Sequence, residues 1–485
     1  MIGAVVVLTL VRLIGLQLSV TDLYADEAQY WVWAQSPAWG YFSKPPLVAW
    51  LIAVAEPICG SGPACVRTPS VLIWAAIPLV VAVIGTTLGG RGVGLWAGLC
   101  ALLAPGAAFS ARVMSTDPPL LLFWALALLA FVRLRAGGGA GWAVLLALGI
   151  GLGLLSKYAM LYVLGGLAVA ALVDPATRRT LRRPVVWVAI AAGLAMLVPN
   201  LLWNLDNGLV TVRHTGENIS DGSGVFSVPR SLADGAEFIA AQFGLAGPVV
   251  FAAVILALAR WRRLGGPQRL MLAFSAPVFA AVTVVAFVNG ANANWAAAGL
   301  VAAFVLAPMM LTGVAAKRWL AGGLAFGVTI QAVLLVGDIG AERLKIAGDP
   351  YEPVLGWSAL AGAVAHRAEA EGARTVVAER RGDAAHLTYG LRDVPVDVRV
   401  WPAEVGRAPQ NYFQMARPLD ASDAGRVLAV SACADLARFG RGWSQAEIVE
   451  TVTVAAGPGA SRTYRLIRLD GRVGQVLGPD VCPNA

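Results

Sequence analysis

Two adjacent carboxylates, Asp26 and Glu27, follow directly on the first hydrophobic run, and Lys44 stands 18 residues further on, between aromatic residues and prolines. A carboxylate beside a hydroxyl can take its proton while the oxygen attacks an electrophilic carbon. A lysine can neutralise a departing phosphate as a point charge. Trp31, Trp33 and Trp39, with Tyr30, Tyr41 and Phe42, give the same segment the aromatic density of a membrane–water interface. Acid, base and interfacial aromatics in one non-spanning loop point to chemistry on a lipid-borne substrate at the bilayer surface.

Further candidates stand downstream. Asp117 lies in S-T-D-P-P, where Asp followed by Pro also suits a helix N-terminus, so capping competes with a supporting catalytic role. Asp26 has the same alternative, as cap of a helix beginning at Glu27, and Glu27 could simply be solvated. Lys157, followed by Tyr158 at a junction of two apolar runs, can snorkel to headgroups or contact a phosphate. Arg213 and His214 belong to the polar stretch 204–230, whose D-G-S-G at 221–224 suits a mobile loop closing over a lipid phosphate. A lone surface histidine such as His214 is more often incidental. His214, His366 and His386 are too scattered for zinc, and neither a metal nor another cofactor is expected.

The elements that must position these residues are mostly apolar. Hydrophobic residues make up 58% of the chain and charged ones 14%, against about a quarter charged in soluble domains. Up to about Gly337 the apolar residues form long runs; beyond Asp338 charges recur every few residues. This divides the chain into a membrane domain, 1–337, and a soluble domain, 338–485. About eleven spans are expected, at 2–20, 69–88, 93–110, 118–132, 142–156, 158–173, 185–203, 239–259, 270–288, 295–314 and 319–337. With the N-terminus inside, thirteen basic residues fall in inner loops and six in outer ones, a positive-inside bias that puts the Asp26 loop and the C-terminal domain outside. The first span lacks a basic n-region and an A-x-A exit, and so is expected to be retained. The net charge of +8 sits in short inter-span loops, which argues against nucleic acid. Pro45–Ile58 and Ser231–Phe243 read as helices lying along the surface. Arg12 and Gln17, costly in lipid, must face the bundle or the interface.

Four outward cysteines suggest two local disulfides, Cys59–Cys65 and Cys433–Cys482, with Cys100 buried in a span; buried free thiols are the alternative. In the soluble domain Thr375–Ala378, Val396–Trp401 and Val427–Ser431 read as strands and Ala384–Tyr389 as a helix. Glu447–Ala455 and Thr463–Leu469 read as paired strands around G-P-G-A. The expected fold is a polytopic α-helical membrane protein with interfacial helices in its first outer loop, plus a small C-terminal α/β domain that carries no catalytic motif.

An outward D-E after span one, then Y-F-x-K-P, T-D-P at the start of span four, L-L-S-K-Y-A at 154–159 and P-N-L-L-W-N at 199–204 form an ordered set. It resembles the membrane glycosyltransferases of the C-type (GT-C) superfamily, family 39 and its bacterial aminoarabinose- and galacturonic-acid-transferring relatives. The resemblance implies an inverting transferase of the inner membrane. Its donor would be a polyprenyl-phosphate sugar and its acceptor a lipid or glycan such as lipid A, core sugars, polysaccharide or protein. It implies Asp26 as catalytic base with Asp117 and Glu27 in support, and Lys44, Arg213, Lys157, His214 and Tyr41 as candidates to hold the donor phosphate. Some relatives carry an acidic residue just before the Y-F-x-K lysine; this chain has Ser43. A transporter of lipid-linked glycans is the competing class, but it predicts internal repeats and midplane charges, and the charges here concentrate in outer loops.

Overall fold

Pro63–Leu103 shows how composition becomes architecture. Its 41 residues would make a straight helix about 60 Å long, twice the hydrocarbon thickness. Instead Gly90 takes φ +84°, which only glycine adopts freely, and the chain turns back on itself. A Cβ on Gly85 would lie 2.9 Å from Gly94 Cα, and one on Gly98 would lie 2.9 Å from Ala82 Cβ. Small residues therefore let the two halves pack backbone to backbone, as membrane helices do without a hydrophobic driving force. The expected spans at 69–88 and 93–110 are the two arms. The second arm ends at Leu103, and Pro105–Ser110 is a separate short helix.

The structure is a computed structural model that describes residues 1–220, 228–345, 349–403, 406–420, 423, 425–433, 435–436, 439 and 442–473. Pro63–Leu103, Asp117–Arg135, Pro184–Asp206, Gly266–Asn289 and Val314–Ile339 are long and apolar enough to cross a membrane. Ile2–Leu18, Ala140–Ser156, Tyr158–Val173 and Ala298–Met310 are shorter apolar helices. The chain is a multi-pass membrane protein.

Two expectations fail here for local reasons. The run 239–259 is broken, because Gly247 at φ +83° and Pro248 bend Arg230–Ala246 against Pro248–Ala259 by 118°. The bend makes Val228–Ala246 a separate helix, on which Glu237 is exposed and Asp234 partly so. That helix packs against Gly266–Asn289 and buries Phe238 and Gln242, whose Nε2 donates to Ala293 O at 3.0 Å. The stretch 204–230 is not a long loop, since Val210–Ser220 is helical; the D-G-S-G segment lies outside the described residues.

Arg12 shows how a charge survives in such a bundle. It is buried, and its Nη2 donates to Gln331 Oε1 (3.1 Å) and Leu102 O (3.3 Å), while Gln331 Nε2 returns to the same carbonyl. Gln17 is exposed.

By internal contacts the chain forms two compact units. One is Met1–Gln17, Lys44–Leu51 and Arg67–Val336; the other is Leu18–Ser43, Ile52–Val66 and Gly337–Ala485. A unit boundary falls after Val336, and most of the stretch 18–66 clusters with the C-terminal segment. The second unit is built on one mixed sheet of β1 (Thr375–Ala378), β2 (Asp397–Val400), β3 (Val427–Ser431), β4 (Trp443–Gly457) and β5 (Ala460–Arg472), in the order β2-β1-β3-β5-β4. β1 pairs in parallel with β2 and β3, whereas β5 runs antiparallel to β3 and β4. β1 and β3 are buried along their whole length, as central strands covered on both faces must be. The helix Arg381–Gly390 connects β1 to β2 and packs against Ala25–Ala34. Cys59 and Cys65 form the expected disulfide, with Cα atoms 5.5 Å apart, and Cys100 is a buried free thiol. Cys433 is disulfide-bonded, and Cys482, its expected partner, lies outside the described residues.

Candidate active site

The candidate residues divide between the two units. In the second, the helix Ala25–Ala34 is started by Glu27, not by Asp26. Glu27 is fully buried, and its carboxylate accepts the Tyr24 N–H at 2.9 Å, closing the first turn. Two expectations change: Asp26 is not the cap, and Glu27 is neither solvated nor exposed to a substrate. Capping by Glu27 leaves the Asp26 side chain 57% exposed. Arg381 Nη1 donates to Asp26 Oδ1 at 2.7 Å and to Gln29 Oε1 at 3.1 Å, gripping positions i and i+3 of one helix face.

The aromatic residues behind this face are core, not an interfacial belt. Tyr30, Trp31, Trp33, Tyr41 and Phe42 are buried, and only Trp39 is exposed. Trp33 stacks on Tyr41 with ring centroids 4.6 Å apart, and Trp31 meets the edge of Tyr389 at 5.1 Å. Trp31 Nε1 and Gln35 Nε2 both donate to Glu56, tying the helix Leu47–Cys59 to this core. The Tyr41 hydroxyl donates to the Trp33 and Ser36 carbonyls and accepts the Ala38 N–H at 3.0 Å. Burial pushes its pKa up to about 12. A hydroxyl so engaged closes the turn before Lys44 and is not offered to a phosphate.

In the first unit the structure joins residues far apart in sequence. Asp117, at the first turn of Asp117–Arg135, accepts from Lys157 Nζ at 2.7 Å on one oxygen and from Asn294 Nδ2 at 2.6 Å on the other. Lys157 therefore does not snorkel; it is a nearly buried ion-pair partner. Its neighbour Tyr158 donates to Asn200 Oδ1 at 2.7 Å, and Asn204 Oδ1 accepts the Thr211 N–H at 3.1 Å. The S-K-Y and P-N-L-L-W-N motifs thus form one polar seam, with Asn200 and Asn204 one turn apart on a buried helix face. Asp117 and Asn294 stand at the polar end of a cavity of about 190 Å³ walled by Trp74, Ile77, Leu121, Leu245, Leu300 and Phe304.

Lys44 is half-buried. Arg213 is exposed on Val210–Ser220, and its side chain folds back to donate to Gly208 O at 3.1 Å. His214 lies beside it on the same helix. Sequence reasoning missed Arg381 and Asn294. Arg381 follows β1 in E-R-R-G-D, at the carboxyl end of a parallel strand where α/β sheets place binding residues. Asn294 ends the N-G-A-N-A-N run, an asparagine cluster just after an apolar span.

A bundle of apolar helices with a buried carboxylate–lysine–amide cluster is joined in one chain to an α/β unit that grips an exposed carboxylate, the architecture of a membrane protein with an added α/β unit. The family model described as dolichyl-phosphate-mannose-protein mannosyltransferase matches residues 43–203. Lipid A galacturonosyltransferase RgtD of Rhizobium johnstonii is 35% identical over 437 residues, covering 88% of this chain and 90% of that one. The fold is also that of ArnT from Cupriavidus metallidurans, at 16% identity. Its apo structure superposes with a TM-score of 0.61, covering 96% of this chain and 97% of ArnT; the undecaprenyl-phosphate-bound structure gives 0.64, with 98% of each covered. The chain belongs to the GT-C membrane glycosyltransferases of the ArnT-like type, and is a glycosyltransferase.

Proposed function

We propose that this enzyme moves a sugar, most simply a galacturonic acid residue, from a polyprenyl-phosphate donor to lipid A or a related envelope acceptor on the outer face of the inner membrane. The similarity to a lipid A galacturonosyltransferase over 88% of the chain carries this reading. Asp26 takes the proton of the acceptor hydroxyl as its oxygen attacks the anomeric carbon. The bond from that carbon to the phosphate oxygen breaks, the polyprenyl phosphate leaves with the electron pair, and one displacement inverts the centre. Lys44 neutralises the leaving phosphate, with Arg213 and His214 as secondary candidates. The apolar cavity ending in Asp117 and Asn294 suits the junction of an isoprenoid or acyl chain with its polar head, and Lys157 holds Asp117 in place there.

With the N-terminus inside and an odd number of spans, Asp26 and the C-terminal residues lie outside. A reporter that is active only in the periplasm, fused after Ala485, is expected to work; activity of a cytoplasmic reporter there would overturn the orientation. Purified enzyme given a panel of polyprenyl-phosphate sugars and lipid A is expected to glycosylate lipid A, releasing polyprenyl phosphate in equal amount. Transfer from nucleotide sugars alone would sink the donor assignment.

A further inference from the structure

Arg381 is committed on one side only. Nη1 serves Asp26 and Gln29, while Nε and Nη2 have no hydrogen-bond partner among the described residues, and the side chain is 43% exposed. A guanidinium offers its donors in a rigid planar fork, and the Nε–Nη2 edge is the one that meets a carboxylate with two parallel hydrogen bonds. Gln29, buried in the helix Ala25–Ala34, accepts from the same Nη1 and so helps to hold that side of the group in place. The open edge is therefore a pre-oriented anion receptor, one guanidinium away from the carboxylate assigned to the acceptor proton.

We propose that Arg381 reads the carboxylate of the transferred sugar, making the enzyme selective for a hexuronic acid. The inference rests on the donor reading above. A base next to the anomeric carbon and a receptor one guanidinium away match the short reach of a hexuronic acid, whose carboxylate-bearing C5 is separated from C1 only by the ring oxygen. The same edge would meet an ammonium-bearing sugar with like charge and a neutral hexose with unpaired donors, so selectivity comes from rejection as well as attraction. Lysine cannot reproduce the fork, because its ammonium is a single point charge.

The test uses the full-length enzyme with two donors differing at one carbon, polyprenyl-phosphate galacturonate and polyprenyl-phosphate galactose, and with lipid A whose phosphates are present or removed. Wild type is expected to prefer the uronate, whatever any variant does. Arg381→Gln is expected to lower kcat/KM for the uronate about 10- to 100-fold more than for galactose, the usual worth of a charged hydrogen-bonded pair. Arg381→Lys is expected to recover part of that ratio. Equal loss with both donors would overturn the inference and leave Arg381 as a support for Asp26. A loss that follows the acceptor's phosphates would overturn it equally. Wild type that transfers only galactose would sink the inference and leave the transferase reading standing; wild type that uses no polyprenyl-phosphate donor would sink both.

Discussion

Asp26 and Asp117 are both aspartates in the first turn of a helix, and their surroundings separate them. Asp26 is more than half exposed and shares one oxygen with an arginine that is itself open to solvent. The Asp117 side chain is 9% exposed, and both its oxygens are taken, by Lys157 and Asn294. An exposed pair adds little to stability. A buried pair is different: removing one partner strands the other charge in an apolar wall. The carboxylate that could be lost without unfolding the protein is thus the one open to a substrate, and the one that looks most engineered is bound into the scaffold. Depth tells the two aspartates apart where local sequence does not.

The largest expected effect would break this contrast outright. Asp26→Asn keeps size and leaves the Glu27 cap intact, but cannot accept a proton. Turnover at saturating donor is expected to fall about a hundredfold to ten-thousandfold, with the melting temperature in detergent near wild type. If most activity survived, Asp117 would replace Asp26 as the leading base.

Asp117→Ala is expected to behave in the opposite way, losing about 3–5 kcal/mol of stability because Lys157 is left unpaired. Replacing both partners, Asp117→Leu with Lys157→Met, should restore much of the melting temperature. If Asp117→Ala kept its stability but lost activity, the pair would be part of the chemistry and the contrast would disappear.

A smaller effect sharpens the comparison within one helix. Arg381 and His386 lie on Arg381–Gly390, but His386 is buried and stacks on Trp357 with centroids 3.8 Å apart. Burial, with Arg462 and Arg381 nearby, lowers its pKa to about 3. The folded protein keeps this imidazole neutral while an unfolded chain protonates it below about 6.5, so its contribution to stability is full above that pH and declines as pH falls toward 3. Melting temperature measured from pH 7 to pH 4 should fall less steeply in His386→Phe, which keeps the stack. An unchanged slope would place the acid sensitivity elsewhere; Asp383, whose carboxyl burial raises, pulls in the other direction.

What sequence alone determined was whatever depends on composition and local chemistry. Long apolar runs foretold a multi-pass membrane protein, the strands Thr375–Ala378 and Val427–Ser431 were readable to the residue, and two cysteines six apart could close a short loop. The candidate base was also legible, because a charged pair beside a span needs a reason to be there. Tertiary structure decided which carboxylate is open, that the tryptophans near Asp26 are core, and that Lys157 belongs to Asp117. It also supplied Arg381, 355 residues from Asp26 in sequence, and Asn294, 177 from Asp117. Spacing along a chain reports neighbours within a turn or a hairpin. A hydrogen bond between residues hundreds of positions apart is set by how the sheet and helices pack, and no local pattern encodes it.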